Sequence, residues 1–282
     1  MRIVRDKGEL RETLAPARRA GHSIGLVPTM GYLHEGHVSL LRAARAACDV
    51  VVMSLFVNPT QFGPGEDFDR YPRDEQRDAR LAEQAGVDLI YTPELAEVYP
   101  PDFATHVEVE GLTEVLEGDP AQRGPDHFRG VTTIVARLLN TVQPEVAYFG
   151  QKDAQQAIVI RRMVRDLDIP VRIEVLPTVR EPDGLAMSSR NAYLDPEQRQ
   201  RAAALSRALG AARETAHESS LAAAIERARA ELREAGIEPE YLEARDADDL
   251  SAVTELNGRP VLLAVAARVG PARLIDNVLI DP

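Results

Sequence analysis

The sequence predicts an α/β protein, with a parallel sheet in the first two thirds of the chain and a smaller α+β domain after it. Short and nearly unbroken apolar runs, such as residues 50–57, are typical of strands buried on both faces of a parallel sheet. Segments with apolar residues at helical spacing alternate with these runs, as βαβ units require. Near residue 178 the pattern changes, because Pro177 and Pro182 precede Ala-rich helices and a hairpin.

The individual elements follow from the same patterns. Strands are predicted at residues 23–27, 50–57, 88–92, 106–109, 145–149, 171–176, 241–245, 261–269 and 273–280. Helices are predicted at residues 8–19, 38–47, 74–85, 132–141, 196–216 and 219–235, with a further helix that opens after residue 150 and ends near 167. Residues 127–131 are expected to precede the helix at 132–141. We expect two domains, residues 1–178 and 179–282.

Composition excludes several functional classes. A chain of 282 residues with 44% hydrophobic content is long enough to bury a substantial core. A net charge of −12 argues against nonspecific binding of nucleic acid, although it permits a local cationic pocket. A single cysteine, Cys48, allows no internal disulfide and fits a reducing compartment. We find no signal-peptide pattern and no apolar run of membrane-spanning length, and therefore expect a cytoplasmic protein without membrane contact.

The segment 26–37, with sequence LVPTMGYLHEGH, lies where a predicted strand meets a predicted helix. The N-terminus of a helix carries a partial positive charge and unpaired N–H groups, so it is a natural seat for phosphate. Gly31 and Gly36 allow main chain to approach a ligand closely. His34 and His37 are three residues apart, a spacing that places both side chains on one face of a first helical turn.

Three interpretations of this segment compete. The first is a strand-to-helix turn with two solvated histidines. The second is a zinc site, but the spacing is not HExxH and no second Cys/His cluster supports it. The third is a nucleotide site in which imidazoles reach phosphates, because HEGH resembles the HIGH-type signature of nucleotidyltransferases and class I aminoacyl-tRNA synthetases. That interpretation needs a second, basic phosphate-binding element elsewhere in the chain.

Three other segments carry candidate functional side chains. Gln61 follows the strand at residues 50–57, and ligands of doubly wound sheets bind outside the carboxyl ends of strands. Lys152 and Asp153 follow the strand at 145–149, where they could hold a phosphate and a magnesium ion. The Ser-Ser-Arg sequence at 188–190 offers several donors to phosphate oxygens. Taken singly, each also fits a simpler structure: an Asn-Pro turn, a helix start with a local ion pair, or a polar loop.

Taken together and in order, the segments VPTMGYLHEGHVSL, FVNPTQF, HFRGVTT, GQKDAQQ and AMSSRN resemble pantothenate synthetase, the pantoate–β-alanine ligase family of the nucleotidyltransferases. The resemblance covers most of the first domain and the start of the second. It implies a Rossmann-like N-terminal domain, a smaller α+β C-terminal domain covering the active site, and a homodimer. It also implies that (R)-pantoate and β-alanine are condensed with ATP to give pantothenate, AMP and pyrophosphate through a pantoyl-adenylate.

The resemblance also implies roles for particular residues. His37, matching the position of the proton donor, His34 and Lys152 would be catalytic, Gln61 and Gln156 would bind pantoate or β-alanine, and Asp153 would lie near Mg²⁺. The ATP-binding residues would be Met30, Gly31, Tyr32, Leu33, His34, Glu35, Gly36, His37, Gly150, Gln151, Lys152, Asp153, Val179, Met187, Ser188, Ser189 and Arg190.

The chain departs from the family pattern at three places. Gln151 stands where the family often has Glu, Ala154 where it often has an aromatic residue, and Ser189-Arg190 where the synthetases have a lysine. The first two departures put local packing in question more than the reaction. Other interpretations stay open: a different adenylate-forming or nucleotidyl-transferring enzyme of this fold, a non-catalytic ATP-binding module, or a synthetase fragment. The last would want a basic tRNA surface, which the net charge does not suggest.

Overall fold

The structure is a computed structural model that describes residues 1–281. Two compact units divide the chain. The first comprises residues 1–114, 118–150 and 159–176, and the second comprises residues 115–117, 151–158 and the chain from 177 onward. The predicted assignment of functions to domains 1–178 and 179–282 stays a prediction. Within residues 1–281 no helix is both long and apolar enough to cross a membrane.

The first unit is built on a six-stranded parallel sheet. Its strands are β1 (Arg2–Val4), β2 (Ile24–Thr29), β3 (Val50–Leu55), β4 (Leu89–Tyr91), β5 (Val146–Gly150) and β6 (Arg172–Leu176), and their order is β1-β4-β3-β2-β5-β6. The connecting helices are α1 (Lys7–Arg19), α2 (Glu35–Ala47), α3 (Glu75–Gln84), α4 (Leu95–Val98), α5 (Pro125–Val142) and α6 (Ala154–Asp166). The strand order reverses between β2 and β5, and ligands of doubly wound sheets bind at such a switch point.

The central strands are buried, as their apolar sequences predict. Leu26 and Val27 on β2 and Val51, Val52 and Met53 on β3 have no exposed surface. Helix α2 covers one face of the sheet with an apolar stripe at helical spacing: Val38, Leu41, Ala44 and, just beyond it, Cys48. Cys48 is a free, buried cysteine within this core.

The second unit contains a three-stranded antiparallel sheet in the order β7-β8-β9 and three helices. The strands are β7 (Pro239–Asp246), β8 (Val261–Val269) and β9 (Ala272–Ile280), and the helices are α7 (Pro196–Ala202), α8 (Ala204–Glu218) and α9 (Leu221–Glu234). Small buried side chains, including Ala208, Ala212, Ala224 and Ala228, let α8 and α9 pack closely against this sheet. The predicted fold class, α/β followed by a smaller α+β unit, is confirmed.

Three element predictions were wrong, and two elements were missed. Residues 106–109 form no strand, because the main chain of Val107 pairs with threonine side chains: its N–H donates to Thr133 Oγ1 at 3.0 Å and its carbonyl accepts from Thr132 Oγ1 at 2.6 Å. Helix α5 starts at Pro125, so residues 127–131 lie inside it; proline is favoured at the first position of a helix. Strand β1 and helix α4 were not predicted, and the helix expected at 196–216 is split into α7 and α8.

Candidate functional site

The segment between β2 and α2 turns through two successive left-handed residues. Gly31 has φ +86° and Tyr32 has φ +50°. Gly31 is required here for space as well as conformation, since a Cβ would lie 2.6 Å from Leu55 Cδ1 and 2.9 Å from Asp78 Oδ2. The chain then reaches His34, the N-cap of α2, in extended conformation. The sequence therefore presents His34 and His37 at the N-terminus of a helix, as the spacing predicts.

A buried carboxylate, which sequence analysis missed, holds this turn. Asp78 on α3 is only 1% exposed, and its two oxygens accept the main-chain N–H groups of Tyr32 and Leu33, each at 2.7 Å. Burial raises the pKa of Asp78, although the two amide hydrogen bonds oppose that rise. The Arg77 guanidinium lies over the Tyr32 ring, 5.1 Å from its centroid, and 3.6 Å from the carboxylate. Asp78 thus fixes the main chain immediately before His34.

The two histidine rings stack against each other. Their centroids are 4.1 Å apart and their planes are inclined by 33°. The His34 N–H donates to His37 Nδ1 at 3.4 Å. A nitrogen that accepts carries no proton, so this bond assigns the neutral His37 ring its proton on Nε2. The arrangement leaves His37 with an N–H donor on the side of the ring that faces away from the main chain.

Gln61 lies beside Met30, which the sequence places in the same candidate site. Its Nε2 donates to Met30 Sδ at 3.0 Å, and its Oε1 accepts from Asn58 Nδ2 at 3.1 Å. The bond from Asn58 sets the orientation of the Gln61 amide, so that the NH₂ group points toward Met30. Asn58 is 1% exposed and Gln61 is 9% exposed. The structure therefore brings together Met30, Gln61 and the histidine turn within the first unit.

Neighbouring residues orient Asn58 in turn. Its Oδ1 accepts from the hydroxyls of Tyr99 and Thr60, each at 2.9 Å, and its Nδ2 also donates to the Gly130 carbonyl at 3.2 Å. Burial raises the pKa of Tyr99, so its hydroxyl stays protonated and able to donate. Gly130 allows α5 to approach, since a Cβ there would lie 2.3 Å from the Thr60 carbonyl oxygen. A glycine in the predicted HFRG segment is thus explained by packing.

An ion pair braces the carbonyl side of Gln61. Arg123 donates to Glu66 at 2.8 and 2.5 Å and to the Gln61 carbonyl at 3.1 Å, and His127 Nδ1 lies 2.7 Å from that same carbonyl. Burial acts to raise the pKa of Glu66, but the hydrogen bond and charge of Arg123 outweigh it and leave the pKa lowered. The loop that contains Glu66 is therefore tied by charge to the segment that immediately precedes α5.

In the second unit, Lys152 and Asp153 lie on a single 3₁₀ turn, Gln151–Asp153, that opens α6. Lys152 Nζ is 3.4 Å from Asp153 Oδ1, and the two side chains are 20% and 46% exposed. Ala154, the position where the family often has an aromatic residue, is buried at 5% exposure. The next residue, Gln155, accepts the Glu117 N–H at 3.0 Å and donates to the Val115 carbonyl at 2.7 Å, so its role is structural.

Gln156, the predicted substrate ligand, differs from Gln155. Its side chain is half-buried, and no residue from 1 to 281 forms a hydrogen bond with its amide. Its donor and acceptor are therefore available to a ligand.

The residues predicted around 179–190 form a hairpin followed by a short helix. Arg180 and Ala186 are bridged, and the Met187 N–H donates to the Val179 carbonyl at 3.0 Å. Ser188 caps the 3₁₀ helix Ser189–Tyr193, accepting from the Arg190 N–H at 3.3 Å. Arg180 donates to both carboxylate oxygens of Asp276 on β9, at 2.6 and 3.0 Å, and so anchors the hairpin to the sheet.

Two predicted ATP-binding positions carry side chains that are already engaged. Leu33 is fully buried in the core of the first unit, and the Glu35 carboxylate pairs with Arg42 on α2. At these positions a ligand would meet main chain rather than side chain. Gly36 has no side chain, and its carbonyl already accepts a hydrogen bond from Ser39 Oγ at 2.8 Å.

The residues present fit a magnesium ion that arrives with a nucleotide. Among residues 1–281 no group of three or more His, Cys, Asp or Glu side chains could hold a metal by itself. Magnesium in nucleotide sites needs only one or two protein carboxylates, because phosphate oxygens and water complete its octahedron. The Asp153 carboxylate, about half-exposed, meets that requirement.

Comparisons with known proteins agree along the whole chain. The sequence model of the pantoate–β-alanine ligase family matches residues 2–279. Pantothenate synthetase of Moorella thermoacetica is 56% identical over 285 residues, covering all of this chain and 99% of the relative. The crystal structure of pantothenate synthetase from Thermus thermophilus has a TM-score of 0.93 at 49% identity, with full coverage of both chains. The Francisella tularensis pantoate–β-alanine ligase, complexed with beta-gamma ATP and β-alanine, has a TM-score of 0.81 at 32% identity and covers 99% of this chain and 97% of its own.

Proposed function

The chain belongs to the pantoate–β-alanine ligase family, and we propose on that basis that it joins (R)-pantoate to β-alanine in an ATP-dependent reaction that yields pantothenate. The observation that carries the proposal is the match over the full length of the chain, which includes a relative solved with both a nucleotide and β-alanine. The stacked histidines at a helix N-terminus support it, because they offer N–H donors where phosphate binds well.

The proposed reaction has two steps. A carboxylate does not acylate an amine in neutral water, because its oxygen is a poor leaving group. In the first step a pantoate carboxylate oxygen attacks the α-phosphorus of ATP, the bond to the bridging oxygen breaks, and pyrophosphate leaves. In the second step the free amine of β-alanine attacks the carbonyl of the pantoyl-adenylate, the acyl–oxygen bond breaks, and AMP leaves with that oxygen. A proton from the amine is released.

His37 is the residue to which we assign proton donation in the first step. Its Nδ1 accepts from the His34 main chain, so a neutral ring carries its proton on Nε2 and can donate that N–H as a hydrogen bond to the bridging oxygen as charge develops there. Transfer of the proton itself would start from the imidazolium, because a neutral imidazole is too weak an acid to give up its N–H proton. His34 stacks on His37 and adds a second donor toward phosphate.

Lys152, Ser188, Ser189 and Arg190 are assigned to the phosphates of the leaving group. The ammonium and guanidinium neutralise charge that grows on pyrophosphate, and the hydroxyls donate hydrogen bonds to its oxygens. Asp153 would hold a magnesium ion, which would neutralise part of the phosphate charge when bound. Gly150 and the main chain of Gln151, Val179 and Met187 complete the assignment on the nucleotide side.

Gln61 and Gln156 are assigned to pantoate and β-alanine. Both amides are neutral, so they can orient hydroxyl and carboxylate groups without competing as nucleophiles. The Gln61 amide is already oriented by Asn58, with its NH₂ group as the donor it presents. A preoriented donor loses less conformational entropy on binding than a freely rotating one.

The experiment that tests the proposal follows the oxygen atoms of pantoate. With heavy oxygen in the pantoate carboxylate, the proposed route transfers one labelled oxygen to AMP. It also releases pyrophosphate from ATP and pantoate without β-alanine, up to about one equivalent per site. Label in inorganic phosphate, or ADP as product, would mean attack on the γ-phosphorus. Omitting each substrate in turn separates this activity from that of another nucleotidyl-transferring enzyme and from a non-catalytic ATP-binding module.

Two further assignments are the oligomeric state, which the family resemblance implies, and the location, which rests on cysteine usage. We propose a homodimer, which light scattering at micromolar concentration would reject if it gave a mass near 31.0 kDa. We also propose a cytoplasmic location, which the buried free cysteine supports because a reducing compartment keeps thiols unpaired. Cell fractionation with the tagged chain tests the location.

A further inference from the structure

The side chain of Asn277 on β9 is a buried amide with three hydrogen bonds to one turn. It is 5% exposed. Its Nδ2 donates to the carbonyls of Gln151 and Lys152, each at 2.9 Å, and its Oδ1 accepts from Gln151 Nε2 at 3.1 Å. Both N–H groups of the amide are therefore used on two consecutive main-chain carbonyls.

These two carbonyls define the conformation of Lys152. The Gln151 carbonyl belongs to the peptide plane before the Lys152 Cα, and the Lys152 carbonyl belongs to the plane after it. Because each peptide is planar, holding both carbonyl oxygens restrains φ and ψ of the residue between them, and with them the direction of its Cα–Cβ bond. Among uncharged side chains, only a primary amide offers two N–H donors on one nitrogen to two nearby acceptors.

Gln151 takes part in this arrangement, at the position where the family often has Glu. Its Nε2 donates to the one oxygen of the Asn277 amide. A carboxylate at residue 151 could not donate that bond and would instead place an acceptor against an acceptor. In this chain the Gln151 side chain therefore completes the hydrogen bonding of the Asn277 amide.

We propose that Asn277 is a positioning residue for Lys152: it holds the turn in the conformation that directs the ammonium group toward the phosphates. This inference rests on the role proposed above for Lys152 in the first step of the reaction. A positioning residue acts only through the group that it positions, so its loss should matter only while Lys152 is present.

A double-mutant cycle tests this dependence. The variants are Asn277→Ala, Lys152→Ala and the pair, and the measured quantity is the single-turnover rate of pyrophosphate release from ATP and pantoate without β-alanine. We expect Asn277→Ala to lower that rate by roughly 10- to 100-fold, the loss typical of a misplaced catalytic group, with little change in the KM of β-alanine. In the Lys152→Ala background the same substitution should lower the rate by less than about 2-fold, because coupled residues are not additive.

Three controls separate positioning from general destabilisation. Val278→Ala removes packing from the same strand but leaves the amide in place. Asn140→Ala removes an asparagine whose Nδ2 also donates to a main-chain carbonyl, that of Ala136 within α5. Both should release pyrophosphate at the rate of the unsubstituted protein. If Asn277→Ala does not fold, Gln151→Met removes the donor to Asn277 at similar size and takes its place in the cycle.

The outcomes are distinguishable. A Lys152→Ala variant with an unchanged rate would overturn the proposed role of Lys152, and the inference with it. If Lys152→Ala lowers the rate of pyrophosphate release severely and the double variant shows the product of the two single losses, the inference about Asn277 is overturned. The proposed role of Lys152 then stands. An equal loss in Val278→Ala at matched thermal stability would also overturn it. A coupled loss confined to the first step supports it.

Discussion

The two turns that present the histidines and the lysine are held by opposite chemistry. In the first unit a carboxylate, Asp78, accepts the main-chain N–H groups of Tyr32 and Leu33. In the second unit a carboxamide, Asn277, donates to the main-chain carbonyls of Gln151 and Lys152. Both supports are buried, and both come from residues far away in the sequence.

The difference determines what each turn can offer a ligand. The carboxylate brings a negative charge to the first turn and occupies two of its amide N–H groups. Attraction of phosphate to that turn is therefore left to the imidazole N–H groups and the N-terminus of α2. The Asn277 amide brings no net charge to the second turn, so it does not neutralise the positive charge of Lys152. The first turn is therefore suited to donating hydrogen bonds to phosphate, and the second to neutralising a leaving group.

The largest effect is expected from the imidazole that we assign as donor. His37→Ala should lower kcat by roughly 10²- to 10⁴-fold, the range for a positioned acid or base, while the KM of ATP changes much less. His22→Ala, at an exposed histidine before β2, is the matched control and should leave kcat unchanged. A folded His37→Ala protein with near-normal kcat would remove His37 from the donor role.

Replacing the lysine by arginine separates charge from shape in the second turn. Of the 33 basic residues in the chain, 31 are arginine and only Lys7 and Lys152 are lysine, so lysine at 152 does not reflect a general preference. An ammonium is compact, whereas a guanidinium is a rigid planar fork. We expect Lys152→Arg to slow adenylate formation by about 10- to 10³-fold, within the range for loss of a charge-stabilising donor.

Lys7→Arg is the control, because the Lys7 ammonium on α1 is about half-exposed and pairs with Glu97 at 3.5 Å. Single-turnover measurement of pyrophosphate release compares the two variants. Full activity in Lys152→Arg would show that any cation suffices in this turn.

Local patterns were enough to predict the parts of the molecule that depend on neighbouring residues. The buried strands β2 and β3, the apolar stripe of α2 and the strand-to-helix segments after β2 and β5 are all encoded within short windows. Where a window was ambiguous the prediction failed. Residues 106–109 have a strand-like composition, yet Val107 pairs with the side chains of Thr132 and Thr133, which no local pattern indicates.

The supports of the candidate site could not be predicted because they depend on pairs distant in the sequence. Asp78 is 45 residues from Leu33, and Asn277 is 126 residues from Gln151. Weak signals did exist. Asp78 shares the buried face of α3 with Ala82, and Asp276 and Asn277 lie between apolar pairs of β9, Leu274-Ile275 and Val278-Leu279. A charged or amide side chain at a buried position needs a partner, but its identity requires the fold.

Exchanging the acceptor in the first turn for a donor tests how far Asp78 supports the histidines. Asp78→Asn keeps the size of the side chain but leaves one of the two N–H groups, of Tyr32 or Leu33, facing an NH₂ group. We expect the turn to shift and kcat to fall by about 10- to 100-fold. The control is Asp49→Asn, since Asp49 accepts the main-chain N–H of Ser23 at 2.8 Å at the opposite end of the same strands. If Asp78→Asn lowered thermal stability but not kcat, Asp78 would support the fold and not the histidines.

The smallest expected effect is the change in folding stability at low pH, which should differ between the two units. In the first unit Glu66 and Arg123 brace the Gln61 carbonyl, and the pKa of Glu66 is lowered on balance, burial opposing and Arg123 favouring the ionised form. A carboxyl whose pKa is lower in the folded than in the unfolded protein adds stability above the ordinary glutamate pKa. That stability is lost as the pH falls through the lowered, folded-state pKa. The amide of Asn277 does not titrate, so the second turn has no such dependence.

Glu66→Gln measures this contribution directly. Hydrogen bonds to charged groups contribute about 1.5–3 kcal/mol when partly buried, so at pH 7 we expect the variant to melt roughly 3–8 °C below the unsubstituted protein. The difference should shrink as the pH is lowered from about 5, because both proteins then carry a neutral group at residue 66. Glu9→Gln is the control: Glu9 pairs with Arg2 at 2.5 Å, but both side chains are exposed, and exposed pairs contribute about 0–1 kcal/mol. A melting difference for Glu66→Gln that stays constant from pH 7 to pH 3 would show that the side chain stabilises the loop by packing rather than by charge.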